Sequence, residues 1–434
     1  MNPLAVELNE QIQKLSPNTF ACLSKLGKQM FFPKGILSQS AEAKKQAHKF
    51  NATIGIALEG GEPMHLAVTR KFFNNLTPSE IYPYAPPAGR PKLRELWKKK
   101  MIRENPTLKG KTFSEPVVTN ALTHGLSIIA DLFVDEGDVI ITPDKLWGNY
   151  RLTYSTNKGA KMVTFPLFNK ENGFNTDGLV QVMKEQGDKK GKLIIILNFP
   201  NNPTGYTPSI EEANQIQEAI KQQATTGTNI VTVSDDAYFG LFFEDSIQES
   251  LFGGLADLHE NILAIKLDGA TKEDYAWGFR TGFITFGTVS SDQEALYQAL
   301  ETKVKGNIRG TISNCPHVSQ SVIEKILEDP EFKVNHAEKY EIMKGRANRL
   351  KEVLQQSKFD DLWSFYPFNS GYFMCLQLKT VNAEELRVHL LEKYGVGAIS
   401  IGSEDLRVAF SCIEEGDLEE LFELIYQATL DLTK

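Results

Sequence analysis

The sequence predicts an α/β protein, a mostly parallel sheet covered by helices on both faces and followed by a smaller α+β unit. Three observations predict it. Short apolar runs at 139–141, 193–197 and 262–267 read as strands buried on both faces. Helical and loop segments separate such runs, as crossover connections between parallel strands require. From about residue 290 the text turns to long charged amphipathic helices with few strands among them.

Composition narrows the function. A chain of 434 residues, 41% hydrophobic and 24% charged, can bury a large core and suits two or three domains. A net charge of -8 argues against a general nucleic-acid or membrane-surface binder. The histidines show no metal-type spacing, and Cys22, Cys315, Cys375 and Cys412 lie far apart without a CxxC pair. Neither a metal site nor a disulfide framework is expected, and reduced thiols suit a cytosol. The first 30 residues lack a basic segment followed by an apolar core, and no apolar run reaches membrane-spanning length, so the expected location is cytoplasmic.

Residues 1–50 read as an arm, broken near Phe31-Phe32-Pro33-Lys34-Gly35. Gly60-Gly61 then forms a turn whose backbone can approach a ligand closely. Tyr84 sits in a stiff proline-rich loop, Tyr82-Pro83-Tyr84-Ala85-Pro86-Pro87, and Pro91 opens a helix through Leu93, Trp97 and Met101. The apolar strand at 117–119 feeds a helix at Leu122-Thr123, whose free N–H groups make an anion seat. Trp147 lies in a loop after a strand, placed to stack on a flat ligand or to join the core. The strand at 193–197 runs into the rigid polar turn Asn198-Phe199-Pro200-Asn201-Asn202-Pro203-Thr204-Gly205, at the strand end where open α/β sheets place ligands, followed by Ser209 and Glu212 in capping-box spacing. The next strand ends in Asp235-Asp236-Ala237-Tyr238, a carboxylate whose burial demands a cationic or hydrogen-bonding partner.

The organising stretch is Asp268-Gly269-Ala270-Thr271-Lys272, with Arg280 eight residues beyond the lysine. A lysine held and partly desolvated in such a turn becomes a nucleophile near neutral pH and can form Schiff bases with carbonyl compounds. Arg280, between glycines, offers a planar fork for a phosphate. Arg309-Gly310-Thr311-Ile312-Ser313-Asn314-Cys315-Pro316 interrupts the helical text beyond residue 290, and strands are expected at 371–376 and 406–411.

Taken in order, these turns resemble the class I/II aminotransferases, pyridoxal-phosphate enzymes of fold type I, over residues 50–434. The resemblance implies an arm at 1–50 packing with the small domain, a large cofactor-binding domain at 51–320 and a small domain at 321–434. It implies that Lys272 carries the cofactor pyridoxal 5′-phosphate and moves the substrate proton. Asp235 would pair with the ring nitrogen, with Asp236 a rival on charge alone, and Asn202 and Tyr238 would bond the ring oxygen. Arg280, Leu122 and Thr123 would hold the phosphate and Trp147 would stack on the ring. Arg407 would grip the substrate α-carboxylate beside a backbone contact at Gly61. Tyr84 would reach the neighbouring subunit's phosphate, making a homodimer with shared sites. Arg309, four residues before Ser313, would meet a dicarboxylate side chain or else lie on the surface. The implied activity moves an α-amino group between an amino acid, aspartate or glutamate among the candidates, and a 2-oxo acid. A carbon–sulfur β-lyase and a transaminase for aromatic or aliphatic amino acids remain open alternatives.

Two departures carry consequences. Glu273-Asp274 makes an acidic neighbourhood that would raise the Lys272 pKa if either carboxylate lay close. Gly269 stands where many relatives carry a phosphate-binding serine, so a hydroxyl is expected to be missing.

Overall fold

The computed structural model describes residues 1–33 and 35–433; Lys34, within the expected break in the arm, lies outside the described residues. Helix α1 (Ile36–Gln46) ends the arm, α2 (Pro91–Glu104) follows the proline-rich loop, and α3 (Ala121–Phe133) follows the first strand of the main sheet. That sheet contains β1 (Val117–Asn120), β2 (Val139–Pro143), β3 (Lys161–Phe165), β4 (Lys192–Asn198), β5 (Asn229–Asp235), β6 (Ile262–Asp268) and β7 (Thr281–Gly287). Their spatial order is β1-β7-β6-β5-β4-β2-β3. From β3 across to β6 all pairs are parallel, whereas β7 runs antiparallel to both its neighbours, β6 and β1.

The parallel core forms because its strands tolerate burial on both faces. Every residue of β4 after Lys192 and of β5 after Asn229 is buried. Helices Thr176–Lys190 and Ile210–Thr225 pack on these strands. The second helix starts on the expected capping box, the Glu212 N–H donating to Ser209 Oγ at 3.2 Å and the Ser209 N–H to Glu212 Oε2 at 2.7 Å. Register then builds the site. Asn198 pairs with Asp235 and Asp235 with Leu267, so β4, β5 and β6 end level with one another. Open α/β sheets place ligands at such a carboxyl edge.

A second sheet, all antiparallel, contains β8 (Trp363–Phe365), β9 (Phe373–Leu378), β10 (Ile399–Ile401) and β11 (Asp405–Ala409) in the order β8-β9-β11-β10. Arg407 on β11 lies between Cys375 and Ile399. The arm docks here: the Ser400 N–H donates to Gln39 Oε1 at 2.9 Å, and Phe50 pairs with Val396. Beyond β7, helix Gln293–Thr311 runs through Arg309 and Gly310 and stops at Ile312, next to Ser313 with its positive φ, so the interruption expected over 309–316 begins at 312. Among the described residues no helix is long and apolar enough to cross a membrane.

Candidate active site

A cavity of about 310 Å³ opens at the carboxyl edge of β4, β5 and β6. Leu122, Thr123, Trp147, Asn202, Asp235, Tyr238, Lys272, Arg280 and Arg407 all line it, though they come from turns spread over nearly 300 residues of chain. It holds three cations and one carboxylate, an electropositive balance suited to an anionic ligand.

Lys272 sits in the helical turn Ala270–Glu273 directly after β6, its backbone carbonyl accepting from the Tyr372 hydroxyl at 3.1 Å. Its ammonium nitrogen lies 4.5 Å from the centre of the Tyr238 ring. Burial lowers its pKa to about 8, against the opposing charge of Asp235 and with help from Arg280. The acidic neighbours do not reverse this. Glu273 is paired with Lys100 of α2, and the Asp274 Oδ1 lies 3.9 Å from the same ammonium, so both carboxylates face away from the cavity. The expectation that they would raise the lysine pKa applies only to carboxylates on its own side of the turn.

Asp235, at the end of β5, is held from two directions. Its Oδ2 accepts from the Tyr150 hydroxyl at 2.5 Å, and its backbone carbonyl accepts from the Asn198 amide at 2.8 Å. Its Oδ1 is buried without a partner. Burial raises the Asp235 pKa, opposed by the Tyr150 hydrogen bond, the charge of Lys272 and the Ala237 amide. Asp236 points elsewhere, to Lys266 and to the Ser250 hydroxyl, which removes it as a rival within the cavity.

Arg407 is fully buried and donates to Asn202 Oδ1 at 3.0 Å and to the Thr53 carbonyl at 2.7 Å. Its guanidinium lies over the Phe373 ring at 4.2 Å, and burial lowers its pKa to about 10. Because Asn202 spends its oxygen on Arg407, its amide N–H₂ is left to donate into the cavity. Burial alone lowers the Arg280 pKa.

Three residues expected at the site do not line this cavity. Gly61 lies at the tip of a small hairpin, Leu58–Glu59 against Glu62–Pro63, which carries it into solvent with a positive φ. Gly55 lines the cavity in its place, because the strip from Thr53 to Ile56 runs beside β11 and the turn after it. Tyr84 is 87% exposed, and Arg309 is exposed with its guanidinium bonded to Ser313 Oγ at 2.7 Å.

Other lining residues were given no role by the motifs: Ile36, Tyr150, Thr271, Trp277 and Phe373. Asn198, which opens the polar turn after β4, lines the cavity level with Asp235, and Ile36, from the N-terminal segment, had no local signal. At Gly269 any Cβ would come within 2.6 Å of the Thr281 carbonyl oxygen and 2.7 Å of Gly282 Cα, so a serine has no room. Thr271 and Thr123 supply the cavity's threonine hydroxyls instead.

Residues 54–425 match the family described as aminotransferase class I and II. The chain belongs to that family. Among its curated relatives, a probable aspartate/prephenate aminotransferase from Aquifex aeolicus is 31% identical over 46% of this chain and 48% of its own length. The cytoplasmic aspartate aminotransferase of Saccharomyces cerevisiae is 23% identical over 49% of this chain and 52% of its own. The chain thus spans about half the length of the curated relatives it matches. An aminotransferase structure from Anaerococcus prevotii shares the fold with a TM-score of 0.84 at 22% identity, covering 94% of this chain and 99% of that one.

Members of the class I and II aminotransferase family use pyridoxal 5′-phosphate as cofactor. The cavity fits it on its own evidence. The orphaned Asp235 Oδ1 lacks the cationic N–H partner that a protonated pyridine provides, the half-buried Lys272 lines the cavity without an ion pair among the described residues, and Arg280 adds a second cation at its wall.

Proposed function

We propose that the protein is an aminotransferase that moves an α-amino group between an amino acid and a 2-oxo acid, with aspartate or glutamate as donor. One observation carries the reading: Lys272, with its pKa lowered to about 8, shares one cavity with the half-satisfied Asp235 and the desolvated Arg407. The bound cofactor supplies the electron sink for breaking the substrate Cα–H bond. Lys272 would hold the cofactor and, once free, would carry the proton taken from Cα to the cofactor's 4′ carbon. Asp235 would keep the ring nitrogen protonated. Arg407 grips the α-carboxylate and, with Gly55 beside it, aligns the Cα–H bond for cleavage. Arg280, Thr123 and the N–H groups near Leu122 would hold the phosphate, Trp147 would lie against the ring, and Asn202 and Tyr238 would bond the ring oxygen.

We read the molecule as an arm at 1–50, a large domain at 51–320 and a small domain at 321–434. In this reading two copies form a homodimer, with Tyr84 and Arg309 of one completing the cavity of the other; their exposure on the single chain supports it. The aspartate names of the relatives favour dicarboxylates. All four cysteines are free thiols, consistent with a reducing cytoplasm. The test is a half-reaction screen: each amino acid is mixed with cofactor-loaded enzyme without acceptor, following the cofactor spectrum and the 2-oxo acid formed. Aspartate and glutamate should each yield one equivalent of 2-oxo acid per site. Continuous release of ammonia and pyruvate from cystathionine, without an acceptor, would establish a β-lyase instead.

A further inference from the structure

Tyr150 belongs to none of the motifs, yet it makes the one side-chain hydrogen bond to the cavity's only carboxylate among the described residues. It follows the loop that carries Trp147, with its N–H donating to the Trp147 carbonyl at 3.1 Å. Its ring stands edge-on to Trp147, centroids 5.7 Å apart, and tilted against Tyr154 at 6.5 Å. With 1% of its surface exposed, the side chain has little freedom to turn. The hydroxyl is therefore aimed at Asp235 Oδ2 by packing, while Oδ1 faces its own unmet need for a donor.

We propose that Tyr150 is a positioning residue for the cofactor: its hydroxyl donates to one Asp235 oxygen, so that the other receives the ring nitrogen's N–H and the shared proton stays on the ring. The inference rests on the reading of Asp235 as the partner of that nitrogen. The donor works through basicity. A hydrogen bond to a carboxylate stabilises its charged form, so Asp235 competes less well for the proton it shares. The hydroxyl cannot reverse roles, because burial first, and then the charge and hydrogen bond of Asp235, keep Tyr150 protonated far above its ordinary range. Asp235 is thus met by a permanent donor on one side only.

The experiment is a double-mutant cycle of Tyr150→Phe and Asp235→Asn, read first as the affinity of the cofactor-free protein for pyridoxal 5′-phosphate, by quenching of tryptophan fluorescence. Loss of the donor in Tyr150→Phe should weaken that affinity by about tenfold, the scale of a hydrogen bond to a charged group. In turnover it should lower kcat with little change in KM. In the Asp235→Asn background the same change should have almost no further effect, since the carboxylate it acts on is gone. Equal losses in both backgrounds would reduce Tyr150 to packing and overturn the proposal. No loss in either would do so too. If Asp235→Asn itself left affinity and turnover intact, the assignment of Asp235 would fail first, a separable result. Should Tyr150→Phe not fold, 3-fluorotyrosine placed at position 150 tests the same point. It is a stronger donor of similar size, and it must tighten cofactor binding; weaker or unchanged binding sinks the proposal.

Discussion

Lys272 and Lys266 lie on either side of the end of β6, Lys266 buried and Lys272 half-buried against the cavity, and they face opposite electrostatic worlds. Lys266 points between Asp236 and the Asp268 Oδ2 at 3.1 Å. Burial works against its ammonium, but those two carboxylates outweigh burial and raise its pKa. Lys272 has no ion pair, and burial wins, lowering its pKa to about 8. The aspartates divide the same way: Asp235 keeps an oxygen free in the cavity, whereas Asp236 is bonded to Lys266 and Ser250. For the adjacent aspartates the cause is the strand's period of two, which sends neighbouring side chains to opposite sides. For the lysines it is that Lys266 lies within β6 while Lys272 lies in the helical turn beyond its end. An ammonium already matched by carboxylates has little tendency to lose its proton; one left unmatched loses it more readily, as Lys272 does at about pH 8.

The largest effect should separate the two lysines. Lys272→Ala should lower turnover by ~10⁴-fold or more, as expected for loss of the group that moves the proton. It should also abolish cofactor fixed to the protein by borohydride, read by peptide mass spectrometry. Fixed cofactor on Lys266, Lys303 or Lys305 would overturn the contrast.

Lys266→Met should act on the fold. It leaves Asp236 and Asp268 buried without their cation, so a loss of about 3–5 kcal/mol in stability is expected by urea unfolding, with turnover per folded molecule retained. A normal unfolding midpoint combined with dead enzyme would move Lys266 into the chemistry.

Arg309 extends the comparison to an exposed cation whose partner is only the Ser313 hydroxyl. If a second copy's cavity desolvates it against a substrate carboxylate, Arg309→Leu should cut kcat/KM for dicarboxylates by ~30-fold and spare aromatic and aliphatic donors. Equal losses for both classes would make it structural, and no loss would leave it on the surface. Tyr84 tests the same sharing without a change of substrate. Mixed Tyr84→Phe and Lys272→Ala subunits should gain activity above either parent as they exchange, because each heterodimer then holds one intact site. Verified exchange without a gain would confine each site to one chain.

The smallest effect is a shift on the pH axis. Attachment of the cofactor to Lys272, followed by absorbance, should speed up as pH rises through about 8. Asp235 favours the ammonium, so Asp235→Asn should move that midpoint lower. The stability linkage has the same origin. Between about 8 and the ordinary lysine value the unfolded chain binds more protons than the folded one, so the Lys272 contribution makes stability rise with pH across that window. An unmoved midpoint would mean that Asp235 and Lys272 do not feel one another.

Local text alone determined the strands, because runs such as those of β4 and β5 are too apolar for anything but burial on both faces. It also marked the capping box at Ser209 and the polar turns at strand ends, whose chemistry is written in consecutive residues. Tertiary structure decided what those turns face. Glu273 and Asp274 could be placed beside Lys272 or away from it, and only the docking of α2, with Lys100, settles that they face away. Gly55 rather than Gly61 enters the cavity because the hairpin after Ile56 turns outward, a choice made by pairing and not by composition. Tyr150 meets Asp235 across 85 residues of chain, and Ile36 reaches the cavity from an arm docked on the second sheet. Sequence patterns report the environment a residue needs, whereas contacts between distant segments depend on how the sheets and helices pack, and that packing alone brings Asp235, Lys272 and Arg407 into one cavity.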